Sequence, residues 1–465
     1  MTDDYDTDHH CDGKERTMGE VKGFPYFEVE FDKQGRVHDE EQVAALERYV
    51  VREEPTDLLV LSHGWNNDMA DARALYQRLL GHLRDHLDAG RVSGLEGRTW
   101  GVFAVLWPSK KFAEDDLIPS GAAAAPGVGE GDLDASLREL EGFFAADDAD
   151  DRLDQARQLV GRLDADPQAR RDFVDLLRPL FPSDPDAETA AELPPETFEL
   201  PGDEVLERLG TPPALPEPVI SDGGGAAVFD PGDDEGGETL DPVEAASIGS
   251  LFDGVKAGAR NFLNLLTYYT MKERARTVGE GGGYQTLKRL RGARPDLRLH
   301  LVGHSFGGRL VTAAAAGPSG KPALPVDSLT LLQAAFSHYG FADDWNGKGG
   351  DGLFRPVLTG ARVRGPMLVT YSVNDRAVGL AYPIASRLAR QVAAAIGGPD
   401  DVYGGIGRNG ALKTPEASSG DLLDVGGDYD FAPRKVFNLK GDRFIPNHGG
   451  VANPQTAYAI LVAAR

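Results

Sequence analysis

Seven stretches of the chain either alternate apolar with polar residues or run apolar without a break, and turn-forming residues flank each one. They lie at 26–31, 58–62, 100–107, 297–303, 328–334, 367–372 and 435–439. That pattern predicts strands. Helical spacing fills most of the intervals. Asp68 reads as the N-cap of a helix over 69–87, and further helices are predicted over 309–316, 378–395 and 454–464. Phe262, Leu265, Leu266 and Tyr269 form an apolar stripe on another helix. Strands alternating with helices predict an α/β class: a mostly parallel sheet with helices on both faces.

One long segment breaks this rhythm. From about 109 to 248 the chain is rich in Asp, Glu, Pro and Gly. Two amphipathic helices stand out in it. One carries Leu153, Ala156, Val160 and Leu163; the other starts at Asp166-Pro167 and carries Phe173, Leu176, Leu177 and Leu180. From 183 to 241 proline, glycine and acids dominate, and poor order is expected. The organisation read from the chain is an acidic disordered tail at 1–20, half of an α/β domain at 21–107, an acidic and partly helical insertion or lid at 108–250, and the second half at 251–465. No internal repeats are seen.

The charge sharpens that division. The net charge is −26 over 465 residues. Residues 114–244 hold 35 acidic and 8 basic side chains, which accounts for the whole excess. Nucleic acid is therefore not an expected partner of that segment. Cys11 is the only cysteine, so no internal disulfide forms, which suits a reducing cytoplasm. The acidic N-terminus lacks a basic-then-apolar pattern, and no apolar run approaches the length of a membrane span, so neither a secretory signal nor a transmembrane segment is expected. His9, His10 and Cys11 sit in the charged tail and are not read as a metal site. DPGDDEGGETLD lacks the glycine and ligand spacing of a calcium loop. No metal or organic cofactor is called for.

The chemistry concentrates at strand ends. Gly303-His304-Ser305-Phe306-Gly307 fits G-x-S-x-G, with a strand ending before it and a glycine- and alanine-rich helix starting after it. That setting pinches the backbone and thrusts the serine outward. A serine hydroxyl needs a base, the base needs an orienting carboxylate, and a developing oxyanion needs donors. Asp375 lies just past the strand at 367–372, and His448 lies in the loop before the last helix. His63-Gly64-Trp65 directly follows the strand at 58–62, where the Trp65 N–H can join that of Phe306 in an oxyanion hole. His63, Gly64, Asn66 and Trp107 are expected along the substrate path, with His63 also shaping its own loop and packing at its strand end the alternative for Trp107. Asp343 and Asp344 are rival acids. Asp442 is too near His448 in sequence to serve. His338 follows the wrong strand for a base, and His304 is expected to pack or hydrogen-bond. GEGGGY at 279–284 reads as a flexible loop, and Lys288, Arg289, Arg291 and Arg294 as a solvated basic face or a dock for the acidic segment.

On LSHGW at 61–65, GHSFGG at 303–308, SVNDRAV at 372–378 and NHG at 447–449, the chain resembles the α/β-hydrolase superfamily, and within it the bacterial lipase- and esterase-like serine hydrolases. The resemblance implies the α/β-hydrolase fold. It also implies Ser305 as nucleophile, His448 as base and then acid, Asp375 as its orienter, and Phe306 and Trp65 as oxyanion donors. The expected substrate is a small ester or related acyl compound. Acyl transfer uses the same first half-reaction. A non-catalytic scaffold that binds a basic partner through its acidic insertion is the alternative of a different class. The long insertion leaves the sheet at Trp107, at the carboxyl end of a strand, and is expected to form a lid over Ser305.

Overall fold

A computed structural model describes residues 19–65, 69–109, 130–211, 254–375, 378 and 404–465. His9, His10, Cys11, Asn66, Asp68 and, apart from Val378, the expected helix over 378–395 lie outside the described residues. The chain divides into two compact units. One comprises 1–110, 274–375 and 410–465; the other comprises 111–273 and 376–409.

The first unit is built on a nine-stranded sheet. Its strands are β1 (Gly19–Val21), β2 (Phe24–Glu30), β3 (Asp57–Ser62), β4 (Trp100–Leu106), β5 (Arg298–His304), β6 (Ser328–Leu332), β7 (Met367–Tyr371), β8 (Ala417–Asp421) and β9 (Val436–Lys440). The order is β1-β2-β4-β3-β5-β6-β7-β9-β8. Only β1, paired with β2, runs antiparallel. All seven strands expected from the pattern are present. The two that were not, β1 and β8, are short edge strands with mostly exposed residues, which leave no buried apolar signature.

Every residue of β3 and β4 is buried. Because alternate side chains point to opposite faces, both faces of the sheet centre are covered. One face packs Leu59, Leu61, Val102 and Ala104 against helix α2 (Met69–Asp88) and the C-terminal helix Pro454–Ala464. Helix α1 (Glu40–Arg52) is started by Asp39, whose carboxylate accepts from the Glu41 N–H at 2.9 Å. Arg289 ties this helix to Tyr284–Ala293 through Glu40 and Glu47, each at 2.8 Å. Arg291 and Arg294 reach Asp327 and Asp296. Three of the four basic side chains of that run are thus paired with acids of their own unit.

The glycine run before them is not a flexible loop. Residues Gly279–Gly283 join two helices across a kink at Gly281, whose φ −82° and ψ −110° are not helical, and Gly279, Gly282 and Gly283 are buried. A Cβ on Gly279 would lie 2.3 Å from the Leu310 carbonyl oxygen. The glycines are there so that two backbones can approach each other closely.

The second unit is helical where it is described. Ala149–Leu159 and Pro167–Leu177 match the two expected amphipathic helices, and the Asp166 carboxylate caps the second by accepting from the Gln168 N–H at 2.9 Å. Leu153, Ala156, Val160, Leu163, Phe173 and Leu177 form its core. The stretch after 183, expected to be poorly ordered, folds up to Thr211 as Ala187–Glu192, Glu196–Glu199 and Gly202–Gly210. Several of its acids are paired internally: the buried Lys272 ammonium is paired with Glu188 at 2.8 Å and with Glu192. Composition counted those carboxylates as solvating charge; pairing removes the reason for disorder.

Candidate active site

In an open parallel sheet, ligands bind beyond the carboxyl ends of the strands where the order reverses. Here the chain passes from β3 outward to β4, then returns on the other side of β3 as β5. The switch point is the crevice beyond Ser62 and His304, and Ser305 is the first residue past β5.

Ser305 has φ 57° and ψ −127°, a backbone conformation that L-residues avoid. Such strain costs on the order of 1–3 kcal/mol and persists only where the surroundings enforce it. The neighbours do so. The Ser305 N–H donates to the Leu332 carbonyl at 3.0 Å, and its own carbonyl accepts from Ala335 at 3.0 Å and Gly308 at 2.9 Å. A Cβ on Gly303 would lie 2.3 Å from the Gly307 oxygen, and one on Gly307 would lie 2.3 Å from the backbone oxygens of Ser62 and His63. Only glycine fits either position. Phe306 opens helix α3 (Phe306–Ala316), which aims its first N–H groups and the positive end of its dipole back past Ser305.

The loop after β3 lies directly against this corner. A Cβ on Gly64 would stand 2.6 Å from the Ser305 Cβ, and the Trp65 ring centroid lies 5.8 Å from that of Phe306. His63 shapes this loop, as expected, and neither it nor Trp107, both also expected along the substrate path, has exposed side-chain surface. The His63 N–H donates to the Tyr76 hydroxyl at 2.7 Å, which donates to the Val105 carbonyl at 2.7 Å. Trp107 donates its indole N–H to the His63 carbonyl at 3.0 Å and its backbone N–H to His63 Nε2 at 3.3 Å. Nε2 therefore carries no proton, and Nδ1–H faces the Gly64 carbonyl at 3.0 Å. Burial lowers the His63 imidazole to about 4, so it stays neutral.

Asp375 and His448 meet. The His448 Nδ1 lies 2.9 Å from Asp375 Oδ2. A carboxylate accepts, so Nδ1 carries the hydrogen and Nε2 keeps its lone pair. Asp375 is fully buried, while the His448 side chain is partly exposed. Their loops are tied together. Asn374 donates to the Asp442 and Ile445 carbonyls at 2.9 and 3.2 Å, and the Asp442 carboxylate accepts from the Val373 N–H at 3.0 Å. Asp442, close to His448 in sequence, thus braces the acid's loop. Asp343 and Asp344 are exposed, and the Asp344 carboxylate accepts from Gly349 within its own loop. His338 is buried against the Tyr339 ring.

His304 joins the two halves. Its Nε2–H donates to the His448 carbonyl at 2.9 Å, and the two rings lie 4.7 Å apart between centroids. Burial first, and the nearby His448 second, push His304 down to about 3. The residue before Ser305 therefore holds the backbone of the imidazole at 448.

Sequence reasoning missed Gln333, one residue past β6, whose Nε2 lies 3.4 Å from Asp375 Oδ2. A lone amide in the apolar run LLQAAF was the available signal. Among the described residues no group of three or more His, Cys, Asp or Glu side chains is placed to hold a metal, and no helix is long and apolar enough to cross a membrane. No family model, curated protein or solved structure matches the chain.

Proposed function

We propose that the chain is a serine hydrolase of the α/β-hydrolase type that cleaves carboxylic esters or related acyl compounds. The observation that carries this reading is the Asp375–His448 hydrogen bond, which leaves Nε2 as the basic nitrogen in a loop held by the neighbour of a strained serine. The succession of strand ends supports it as well: donor loop after β3, serine after β5, acid after β7, histidine after β9.

In the proposed cycle the Ser305 oxygen attacks the acyl carbon and its proton passes to His448 Nε2. Negative charge gathers on the carbonyl oxygen, where the N–H groups of Phe306 and Trp65 would stabilise it. The tetrahedral species collapses, His448 protonates the departing alcohol, and an acyl group stays on Ser305. A water deprotonated by His448 then releases the acid. Asp375 fixes the tautomer and offsets the imidazolium charge in both halves. An acceptor alcohol in place of water would make the same intermediate a transfer intermediate.

A fluorophosphonate probe tests the assignment. Wild type should be labelled on Ser305 and should turn over short p-nitrophenyl esters; Ser305→Ala should do neither. Equal labelling of the two proteins would refute the nucleophile. No labelling and no turnover in wild type would favour a non-catalytic scaffold.

A further inference from the structure

Gln333 sits one residue beyond β6 with φ 44°, in the left-handed region where a residue with a Cβ is strained. Its side chain has no exposed surface. β6 and β7 pair with Leu332 opposite Thr370, so Gln333 stands at the strand end next to the one that leads to Asp375.

The hydrogen bonds decide which way the amide faces. The Gln333 backbone N–H donates to the Thr370 hydroxyl oxygen at 3.2 Å. The Thr370 hydroxyl donates to Gln333 Oε1 at 2.9 Å, much nearer than its other acceptor, the Leu331 carbonyl at 3.5 Å. Oε1 is thereby held toward Thr370, and the NH₂ end faces Asp375 Oδ2 at 3.4 Å. The reverse orientation would set a carbonyl oxygen against a buried carboxylate. Oδ2 is also the oxygen that accepts from His448 Nδ1. One carboxylate oxygen therefore receives donors from two strand ends.

We infer that Gln333 is a positioning residue for the reaction proposed above: held by Thr370, its amide fixes the Asp375 carboxylate in the rotation that presents Oδ2 to His448. This rests on reading Ser305, His448 and Asp375 as the catalytic set. A donor from a second strand end on the oxygen that accepts from His448 restricts the rotation of the carboxylate about its last torsion. The amide is neutral, so it orients Asp375 without competing with the imidazolium for its charge.

Two substitutions test it. Gln333→Met keeps the length and removes the donor. It should lower kcat by about ten- to a hundredfold, the range expected for losing a hydrogen bond to a charged group, with KM little changed. Gln333→Glu keeps the shape. Protonated, the introduced carboxyl donates O–H to Asp375; ionised, it repels it. Asp375 faces this position directly, with His448 and His304 beyond. The activity of this variant should approach wild type at low pH and fall as the introduced carboxyl ionises, a descending limb that wild type lacks. The far-downfield proton resonance of His448 Nδ1–H, recorded without substrate, should shift in both variants.

If both variants melt lower but keep wild-type kcat, pH profile and resonance, Gln333 is structural support only and the inference is overturned. Should Gln333→Met fail to fold, the Gln333→Glu profile and resonance decide alone. The resonance also separates the two readings. If wild type neither reacts with the probe nor turns over ester, the proposed function fails. A shifted resonance would then still show Gln333 orienting Asp375, and an unmoved one would overturn that too.

Discussion

The His304 Nε2–H donates to the backbone carbonyl of His448 at 2.9 Å, across 144 residues of sequence. The variable position of a G-x-S-x-G turn is thus the anchor of the loop that carries the proposed base. His304→Gln retains an N–H donor of similar reach, whereas His304→Phe retains the ring and loses the donor. Labelling of Ser305 should slow about tenfold in the phenylalanine variant, roughly the loss of one hydrogen bond, and less in the glutamine variant. Rates measured with one fluorophosphonate check this; equal slowing in both would mean that ring packing, not the donor, holds the loop.

The same burial makes stability depend on pH. His304 is lowered to about 3 and His63 to about 4, by burial first in each case. An unfolded histidine takes its proton near 6.5. Between 6.5 and those values the unfolded chain binds protons that the folded chain refuses. Stability is therefore full above about pH 6.5 and is lost as pH falls, by at most about 1.4 kcal/mol per pH unit for each histidine. Urea unfolding between pH 7 and 4 should show this slope, and His304→Gln should make it shallower.

Asp375→Asn asks whether the carboxylate does more than fill space. An asparagine at 375 can offer its N–H to His448 Nδ1 and so favour the tautomer with the proton on Nε2, where the base is needed. kcat should fall by about 10³–10⁴ with little change in KM. Ester turnover with a parallel thermal melt measures both. A fall below tenfold in folded protein would dismiss Asp375 as the orienter.

The sequence made the frame visible where burial writes a period into the chain. β3, β4, β5, β6 and β7 are buried on both sides and were read within one or two residues. α1 was overlooked although Asp39, Val43, Leu46 and Val50 carry a clear start and apolar stripe. Ser305, Asp375 and His448 could be nominated because each follows a strand, and the structure joins Asp375 to His448. That His63 shapes its loop was read from the sequence; that its ring and that of Trp107 face each other and not a ligand was not legible. A ring that stacks within a loop and a ring that faces a ligand are written with the same letter; only the partners of His63 Nε2 and the Trp107 N–H tell them apart. Gln333 was hidden for a related reason: its neighbours Thr370 and Asp375 come from another strand.

Gly64→Ala tests how tightly the loop after β3 is set against the serine. The added carbon would stand 2.6 Å from Ser305 Cβ and 3.1 Å from His304 Nδ1. Neither neighbour can retreat, since Ser305 is held by three backbone hydrogen bonds. The variant should lose about 1–3 kcal/mol of stability, as overpacked sites do, and label far more slowly. A variant that labels like wild type would show the loop free to move.

A second Asp–His–Ser chain lies at the opposite, amino-terminal edge of the sheet. His300 Nε2 is 3.0 Å from Asp57 Oδ1, and its Nδ1 is 2.8 Å from the Ser328 hydroxyl. The residue types match those of the proposed site, but all three side chains are buried. Asp57 is also bound by Arg98 at 3.1 Å and Arg298 at 2.9 Å, and Arg98 continues to the Ala464 and Arg465 carbonyls at 2.7 and 3.0 Å. Burial alone would raise the Asp57 carboxyl; the hydrogen bonds from His300, Thr56 and Arg298, with the charge of His300, hold it below the usual range. A lowered carboxylate stabilises the fold above its ordinary value near pH 4, and that contribution disappears as pH falls through the folded value. With its three side chains buried, this chain is expected to fasten the C-terminal helix to the sheet and to take no part in the chemistry. Asp57→Asn should therefore cost roughly 3 kcal/mol, because it strips two arginines of their anion. Ser328→Ala should leave probe labelling untouched. Urea melts and counting of labelled sites per folded molecule separate the two edges: if Asp57→Asn stays folded but loses its labelling, the amino-terminal network serves the chemistry after all.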